Sequence, residues 1–541
     1  MKDFFQSGKG RLFIANLISI LVTGILYYIF LPPLNPEAQS FYLFLLAVLG
    51  VFVLNNFLST MHMQVSRQNS TIRNSARLAI IVALLIVLAL IIGGISSAKL
   101  FRAKSYAGII TVTETEFETD MEETTSITNI ALMDSESART IGSRALGSLS
   151  EVVSQYTLNE KYSQINYQGA PKKLSNLEYD GFFKWLNNRK NGIPGFVMVD
   201  PVENSAGYVK LDTPIRYADS GYFGDDLARK LRFSYPTKIF GSVFFEIDED
   251  GNPYYIVSCL SSGVGLFGAK DVKEVILFDP CDGSSVIYSV EETPSWVDLV
   301  YDGELAMQKY NWYGNLSGGF WNSLIGNKNC KVTTDDYGYI TIGDDVWYFT
   351  GVTSVTSDES NIGFIISNAR TGEYRFYPVV GAEEYSAMSA AEGEVQEKGY
   401  TASFPSLVNI SGQATYIMVL KDSGGLVKLY ALVNVENYGI VATGSTQSEV
   451  ISAYRKLLKA NGEKVKSDTA EPKTILVDEV RIVSLDGVPT VYIMAVDGNV
   501  YKGLLTNDES LILIREDDVL TVLAEETDIS GLYEIESWEK Q

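Results

Sequence analysis

An uninterrupted apolar run, LAIIVALLIVLALIIGGI at Leu78–Ile95, constrains the fold of this chain more than any other feature. Its eighteen residues carry no charge and no strongly polar group. As a helix they would extend about 27 Å, close to the thickness of the hydrocarbon core of a bilayer. Residues 12–31 and 41–58 have the same apolar character. The sequence therefore predicts three transmembrane helices, at about 12–31, 41–58 and 78–95, in a membrane domain of residues 1–104.

The first two predicted helices contain a few polar side chains, namely Asn16, Ser19, Thr23, Asn55 and Asn56. Inside a bilayer such groups commonly hydrogen-bond to a neighbouring helix. We therefore expect the three helices to pack against one another.

The basic residues that flank the helices predict the orientation, because cytoplasmic segments are enriched in lysine and arginine. With the N-terminus inside, the inner side holds six of them: Lys2, Lys9, Arg11, Arg67, Arg73 and Arg77. The outer side holds three: Lys99, Arg102 and Lys104. This asymmetry predicts a multi-pass protein of the cell membrane, with a cytoplasmic N-terminus and with residues after about 100 outside the cytoplasm.

The predicted exterior is strongly acidic. Residues 1–104 have a formal charge of +7, whereas residues 105–541 have −30. A surface this negative repels the phosphates of nucleic acids, which excludes them as partners. The expected partners are the membrane and either other envelope proteins or further copies of this chain.

The first part of the predicted exterior, residues 105–239, is expected to form a membrane-proximal α+β domain. A strand is expected from Tyr106 onward, where YAGIITVTE leaves the membrane. Helical spacing and end signals predict helices at 134–149, 177–192 and 225–233.

Residues 240–460 repeat one arrangement three times: an apolar strand, a strand–turn–strand hairpin and a helical segment. The hairpin turns fall at Asp282-Gly283, Thr371-Gly372 and Asn437-Tyr438. Internal duplication would produce this arrangement, and so would the ordinary recurrence of hairpins in a β-rich domain. Repeated hairpin modules are therefore predicted, with both origins left open.

Residues 474–541 predict a small β-barrel of the OB or SH3 type, after a linker at 458–473. Five short strands are expected, with turns at Asp486-Gly487 and Asp497-Gly498. Strand alternation predicts the barrel core: Ile475, Val480, Ile482, Val491, Ile493, Leu504, Leu511, Leu513, Leu520 and Val522. The predicted fold class is thus a membrane-anchored α+β protein, with three N-terminal transmembrane helices, a β-rich exterior of repeated modules and a small C-terminal barrel.

Two resemblances accompany these patterns. The strand–hairpin–helix unit, with DPCDG and NARTG after an apolar strand, is similar to PepSY-type modules of bacterial exported proteins over about residues 240–460. The stretches LEYDGFFKWLNNRKNGIPGFVMVD, DEDGNPYYIV and FTGVTSVTSDESNIGF resemble a family of uncharacterised three-span membrane proteins of Gram-positive gut bacteria with a large extracytoplasmic domain. The second resemblance implies a bacterial envelope protein and brings no catalytic residue.

Histidine-dependent catalysis is excluded from the predicted exterior. A Ser-His-Asp or Cys-His site needs an imidazole beside its nucleophile, and the one histidine, His62, lies in the predicted inner loop. Cys259, Cys281 and Cys330 lack the spacing of a zinc site, and a disulfide between two of them is left open. No catalytic residue, cofactor or cofactor-binding residue is predicted. Metal binding is left open, because DEDGNP at 248–253 suits a hairpin turn or a weak surface Ca²⁺ site.

Three further motifs have simple structural interpretations. GVGLFG at 263–268 matches G-x-G-x-x-G, but it lacks the following helix that would hold a pyrophosphate, so a loop is predicted. SSAK at 96–99 has the spacing of a Ser–Lys dyad without its partner motifs. Acidic pairs recur at 248/250, 335/336, 344/345 and 383/384. Adjacent residues on a strand point to opposite faces, so the adjacent doublets are not ready-made catalytic pairs.

These observations favour a bacterial envelope protein that acts by protein contact, as a scaffold, assembly or sensor component, without enzymatic activity. The alternative is an extracytoplasmic hydrolase of cell-wall glycans that uses two carboxylates. A transporter component is disfavoured, because no charged residue lies within the three spans.

Overall fold

Three long apolar helices come first in the chain: α1 Gly8–Phe30, α2 Gln39–Thr60 and α3 Asn69–Ser96. Each contains a stretch long and apolar enough to cross a membrane, at Phe13–Phe30, Gln39–Ser59 and Ala76–Ser96. The three predicted spans are confirmed, with their ends within two residues of the predicted ones.

The computed structural model describes residues 8–60, 69–124, 132–133, 135–355, 357–462, 473–485, 488–505, 508–527 and 529–540. The chain divides into two compact units, Met1–Glu463 and Lys464–Gln541. His62 and the predicted turn at Asp486-Gly487 lie outside the described residues.

A polar contact joins the first two membrane helices. Asn55 Nδ2 of α2 donates to Ser19 Oγ of α1 at 2.9 Å, and the Ser19 hydroxyl donates to Ala15 O at 2.9 Å. Ser19 is fully buried. The expectation that polar side chains in the spans bond between helices is confirmed for this pair.

A short helix, α4 Lys99–Ala107, follows the third span and precedes strand β1 Val112–Glu114 and helix α5 Phe117–Asp120. The predicted strand from Tyr106 is therefore wrong over its first residues. Tyr106 closes the helix instead, because its hydroxyl donates back to Ser97 O at 2.8 Å and its ring is buried.

The first sheet contains β2 Tyr156–Leu158, β3 Ser163–Tyr167, β4 Ala170–Tyr179, β5 Ile193–Asp200 and β6 Ser205–Ile215. The strand order is β2-β4-β5-β6, and β3 also pairs with β4. Its helices are α6 Ser135–Gly147, α7 Ser150–Val153, α8 Phe182–Asn188 and α9 Leu227–Ser234. The helices predicted at 134–149 and 225–233 are thus present.

The helix predicted at 177–192 is shorter than expected. Residues 177–179 complete β4, and the chain then breaks at Gly181, whose φ of +89° lies in the region that favours glycine. Helix α8 occupies only seven residues. Gly192, the predicted stop, has a φ of +72° but lies four residues beyond Asn188, where the helix ends.

The second sheet is β7 Ile239–Ile247, β8 Pro253–Val264, β9 Gly268–Phe278 and β10 Ser285–Ser289, followed by helix α10 Gly303–Leu316. The third is β11 Lys331–Thr333, β12 Gly338–Ile342, β13 Asp345–Ser354, β14 Ser357–Asn368 and β15 Tyr374–Tyr377, followed by α11 Glu384–Glu394. The fourth is β16 Thr401–Ala402, β17 Ser406–Ile410, β18 Gln413–Lys421, β19 Val427–Asn434 and β20 Val441–Gly444, followed by α12 Gln447–Ala460.

Each of the four sheets contains an antiparallel meander of four consecutive strands: β3–β6, β7–β10, β12–β15 and β17–β20. A helix precedes every meander, and these helices are α6, α9, α10 and α11. The sequence predicts three units from residue 240 onward, each an apolar strand, a hairpin and a following helix, and it omits the first strand of each meander, namely β7, β12 and β17. The first sheet is a fourth unit with the same strand order. The predicted hairpins at Asp282-Gly283, Thr371-Gly372 and Asn437-Tyr438 are all present.

An Asp or Asn stands at the end of the third strand of every meander or directly after it. Asp200, Asp279, Asn368 and Asn434 each accept, through Oδ1, a hydrogen bond from a backbone N–H two or three residues ahead. Such an Asx turn bends the chain toward the fourth strand. Internal duplication and the ordinary recurrence of hairpins both remain open as the origin of the four meanders.

The sheets bury aromatic side chains against one another. Phe196 of the first sheet meets Phe245 of the second edge to face, with ring centroids 5.5 Å apart. Phe364 of the third sheet meets Tyr416 of the fourth at 5.8 Å. Helix α10 covers the other face of the third sheet, where Tyr310 is buried. Each fully buried side chain of this kind contributes about 1.5–3 kcal/mol to stability.

The second unit contains β21 Lys473–Leu485, β22 Val488–Ala495, β23 Val500–Leu504, β24 Val519–Glu526 and β25 Leu532–Lys540. The strands pair in a closed circuit, β21-β22-β23-β25-β24. Its assignment to the OB or SH3 type remains a prediction. The linker predicted at 458–473 is shorter than expected, because α12 continues to Ala460 and β21 begins at Lys473.

The core of this unit matches the predicted one in part. Six predicted residues are buried: Ile475, Val491, Ile493, Leu511, Leu520 and Val522. Ile482 and Leu513 are exposed instead. A register shift between Val477 and Glu479 changes the alternation along β21, and Leu513 lies in a 3₁₀ turn, where strand alternation does not apply.

Expressed alone, residues 464–541 should fold, because they form a separate compact unit with its own core. At about 80 residues without a disulfide, the free energy of unfolding should be on the order of a few kcal/mol. Ile493→Ala should remove about 2–5 kcal/mol and unfold the fragment. Ile482→Ala, at an exposed position, is the matched control and should leave a cooperative thermal transition and a dispersed amide NMR spectrum. Equal damage from both substitutions would contradict the described core.

Candidate functional site

A buried arginine fixes the β-rich part of the first compact unit, residues 105–462, to the membrane helices; from here on we call this part the exterior, after its predicted orientation. Arg232 of α9 is only 6% exposed. Its guanidinium donates to Leu31 O, at the end of the first span, at 2.9 Å, and to Tyr235 O and Lys238 O at 3.3 and 2.6 Å. The same group lies 4.2 Å from the centroid of the Phe240 ring. One planar cation therefore satisfies carbonyl groups of the membrane segment and of the exterior together.

The loop between the first two spans adds backbone contacts to the same surface. Leu34 N donates to Pro236 O at 2.7 Å, and Asn35 Nδ2 donates to Thr237 O at 3.0 Å. These bonds join the loop to the segment that follows α9. The loop thus lies against the exterior rather than apart from it.

Glu37, in the same loop, contacts the second sheet. Its carboxylate accepts a hydrogen bond from Ser262 N at 2.7 Å, and Lys270 Nζ donates to Glu37 O at 2.7 Å. Residues 31–38, 93–97, 229–238 and 262–270 together form what we call the junction.

The glycine-rich motif at 263–268 forms the tip of the β8–β9 hairpin and docks on the end of the third span. Phe267 N donates to Ser97 Oγ at 2.8 Å, and the Phe267 ring meets the Tyr42 ring edge to face at 5.8 Å. Gly265 has a φ of +61°, and a Cβ there would lie 2.5 Å from Ser96 O. The motif is the predicted loop, and its glycine permits close approach to the span.

The S-x-x-K residues have separate partners. Ser96 Oγ donates to Gly93 O at 2.9 Å, whereas the Lys99 ammonium lies over the Tyr106 ring, 5.9 Å from its centroid. Ser96 therefore stabilises the end of the helix and Lys99 packs on the adjoining core, so the two residues do not act as a dyad.

A pair of buried carboxyl groups lies where the first three sheets meet. Glu246 of β7 is fully buried, and its two oxygens accept hydrogen bonds from Asp298 N and Leu299 N, each at 2.9 Å. Asp298 Oδ2 accepts from Asn166 N of β3 at 2.7 Å. Asn166 Nδ2 donates in turn to Asp344 Oδ1 at 2.8 Å, in the turn before β13.

Burial raises the pKa of Glu246 to about 8, against the lowering effect of its two backbone hydrogen bonds. Burial also raises the pKa of Asp298, and the neighbouring charges of Glu246, Asp345 and Asp344 raise it further. The pair therefore favours a protonated state at neutral pH.

Members of three of the acidic pairs singled out in the sequence hold local structure. Asp248 Oδ1 accepts from Asp250 N and Asn252 N, as expected of the predicted hairpin turn. Asp345 forms an ion pair with Arg370 at 2.5 Å.

Glu384, of the pair at 383/384, is buried at the start of α11. One of its oxygens accepts from Gly351 N at 2.6 Å, and burial raises its pKa to about 7. This carboxyl group joins α11 to the third sheet.

The three cysteines are all free. Cys259 and Cys330 are buried, and burial raises the pKa of the Cys281 thiol to about 12. Within the described ranges, no group of three or more His, Cys, Asp and Glu side chains is placed to hold a metal ion. His62 lies outside those ranges, so its predicted place in the inner loop remains a prediction.

Comparison with known proteins finds no match: no protein-family model fits the chain, and no curated sequence is similar to it. The resemblances to PepSY-type modules and to three-span proteins of Gram-positive gut bacteria therefore remain predictions. No sequence pattern predicted the junction, because its hydrogen bonds join residues that are about 200 positions apart.

Arg232→Met should loosen the junction, because three carbonyl groups lose a charged donor. Hydrogen bonds to charged groups contribute about 1.5–3 kcal/mol each, so a loss of about 2 kcal/mol should speed hydrogen exchange of the Leu34 amide roughly 30-fold. Hydrogen-exchange mass spectrometry of the full chain in detergent measures this. Lys273→Met, at an exposed position of β9, is the matched control. Unchanged exchange at Leu34 in the Arg232 variant would contradict the assigned role.

The thermal midpoint of the exterior should fall as pH rises from about 5 to 8. The pKa of Glu246 in the folded state, about 8, lies above its value of about 4.5 in the unfolded chain. The stability contributed by the protonated pair is therefore complete below the unfolded pKa and is lost as pH rises through the folded one. Asp298→Asn should make this slope shallower.

Glu249→Gln, in the exposed turn after β7, is the control and should leave the slope unchanged. Circular dichroism melting of the full chain in detergent, at several pH values, measures all three proteins. An Asp298→Asn slope equal to that of the parent would show that the buried pair does not titrate.

Proposed function

We propose that this chain is a bacterial envelope protein that acts by protein contact, as a scaffold, assembly or sensor component, without catalysis. The observation that carries the proposal is the junction, where Arg232, Glu37 and Ser97 bond the exterior to the loop and ends of the membrane helices. A fixed orientation serves a protein that presents a surface or transmits a contact.

The surface presented is acidic and built from repeated meanders. The net charge of −30 beyond residue 104 favours basic partners or basic regions of a second copy. Four sheets of like topology supply several faces of similar shape. Other envelope proteins and further copies of this chain are therefore the partners proposed.

The orientation proposed places the N-terminus in the cytoplasm and residues after about 100 outside, on the six-to-three distribution of basic residues. The contacts between the 31–38 loop and the exterior support this proposal, in which three spans put that loop and the exterior on the same side of the membrane. Six of the nine basic residues that flank the spans then lie on the opposite, cytoplasmic side of the membrane.

A glycan hydrolase remains the alternative, and the described carboxylates give it little support. Glu246 and Asp298 are buried among three sheets, where a sugar chain has no access. Asp248 and Asp345 hold a turn and an ion pair. A hydrolase needs two carboxyl groups that flank an accessible glycosidic bond.

The full chain purified in mild detergent should form a defined oligomer or a complex of fixed stoichiometry with another envelope protein. Light scattering after size-exclusion chromatography measures the mass. The same preparation should release no soluble fragments from peptidoglycan. A strict monomer that cleaves peptidoglycan, and that loses this activity when an accessible carboxylate is replaced by its amide, would overturn the proposal in favour of the hydrolase.

Protease added to intact spheroplasts should digest residues 105–541 and leave a membrane-protected fragment that contains the three spans. Detergent-permeabilised spheroplasts are the control, since the inner segments then become accessible as well. Full protection of the exterior in intact spheroplasts would reverse the proposed orientation.

A further inference from the structure

Beside the first span, the exterior carries a cluster of exposed aromatic side chains, which we call the aromatic patch: Phe182, Phe183, Tyr222, Phe223 and Phe233. Phe183, Phe223 and Phe233 are 75%, 58% and 54% exposed. A soluble surface rarely gathers large apolar groups in this way, and such a gathering marks a protein or membrane contact.

One member of the patch, Phe233, contacts the last turn of the first span. The Phe233 ring meets the rings of Tyr27 and Tyr28 at 5.7 and 6.2 Å. Both tyrosines lie inside the apolar stretch Phe13–Phe30. Side chains that touch them must reach the depth of the bilayer at which this helix ends.

Arg229 connects the other members of the patch to the same turn. Its guanidinium lies 4.3 Å from the centroid of the Tyr28 ring, and Nη1 donates to Phe223 O at 2.8 Å. Tyr28 of the span and Tyr222, Phe223 and Arg229 line one groove of about 390 Å³. The loop at 222–223 thus stands directly beside the membrane helix.

The patch is held in place before any partner arrives. Tyr222 packs edge to face on Phe182 at 5.0 Å, and Phe223 packs on Trp185 at 5.8 Å. The Trp185 indole donates to Asp225 Oδ2 at 3.3 Å. A preformed surface loses little conformational freedom on binding.

We propose that the aromatic patch inserts into the headgroup–acyl boundary of the same bilayer leaflet in which the first span ends. Phenylalanine rings on a fixed element favour this boundary because they are removed from water there, and the hydroxyl of Tyr222 can remain hydrated. The exterior is then seated on the lipid surface beside its own membrane helices, in addition to its bonds at the junction.

The chemistry of the contact is apolar rather than electrostatic. Residues 105–541 carry −30, so anionic lipids repel the exterior as a whole. Basic Lys184, Arg189 and Lys190 follow the two phenylalanines at 182 and 183 in the sequence, and Arg229, Asp219 and Asp226 line the groove beside the patch, so both signs of charge are present. The partner that fits is therefore a bilayer of neutral or zwitterionic lipid, bound without strong dependence on salt.

Photo-crosslinking of the full chain in phosphatidylcholine nanodiscs tests the insertion. Benzoylphenylalanine replaces Phe183 or Phe223, and mass spectrometry detects lipid adducts after irradiation. The matched control is Tyr438, an exposed aromatic residue in a turn of the fourth sheet. Phe30, 70% exposed at the end of the first span, is the positive control.

Positions 183 and 223 should give lipid adducts in yields similar to position 30 and about tenfold or more above position 438, also in 0.5 M NaCl, as expected for apolar insertion. Adducts to protein instead of lipid would assign the patch to a second copy or another protein and overturn the proposal. Yields at 183 and 223 as low as at 438, or yields that vanish in high salt, would overturn it as well.

Discussion

The hydrogen bonds from the Arg232 guanidinium to three carbonyl oxygens fix the position of the exterior relative to the membrane helices. Arg232 bonds Leu31, at the end of a span, and two residues of its own segment, and its charge is almost wholly buried. A buried cation of this kind is stable only while its partners stay in place. The exterior therefore holds one orientation on the helices, and the contacts of Glu37 and Ser97 reinforce it.

The rest of the exterior extends from this base by repetition. Helix α9, which carries Arg232, also begins the second meander, and the β8–β9 hairpin of that meander reaches back to the third span. Each meander turns at an Asp or Asn after its third strand, so the chain can add sheets without new folding devices. Glu246 and Asp298 join the first three sheets through a buried contact that favours protonated carboxyl groups and is therefore sensitive to pH.

The sequence predicts those features that rest on local pattern. The apolar run at Leu78–Ile95 predicts a span, and Asp282-Gly283 predicts a hairpin, because length and turn chemistry act over a few residues. The candidate site escaped prediction because Arg232 and Leu31, like Glu246 and Asp298, become neighbours only in the fold. Gly181 and the register shift in β21 explain the local errors, since one break in a regular pattern changes every residue after it.

The central claim is that the exterior is fixed to the membrane helices and does not hang from a flexible tether. Double electron–electron resonance between spin labels at the exposed positions Leu54, in α2, and Val286, in β10, tests it directly in nanodiscs. The native cysteines are replaced for labelling. One narrow distance distribution is predicted, and it should broaden when Arg232→Met is introduced. A broad distribution in the parent protein would contradict the account.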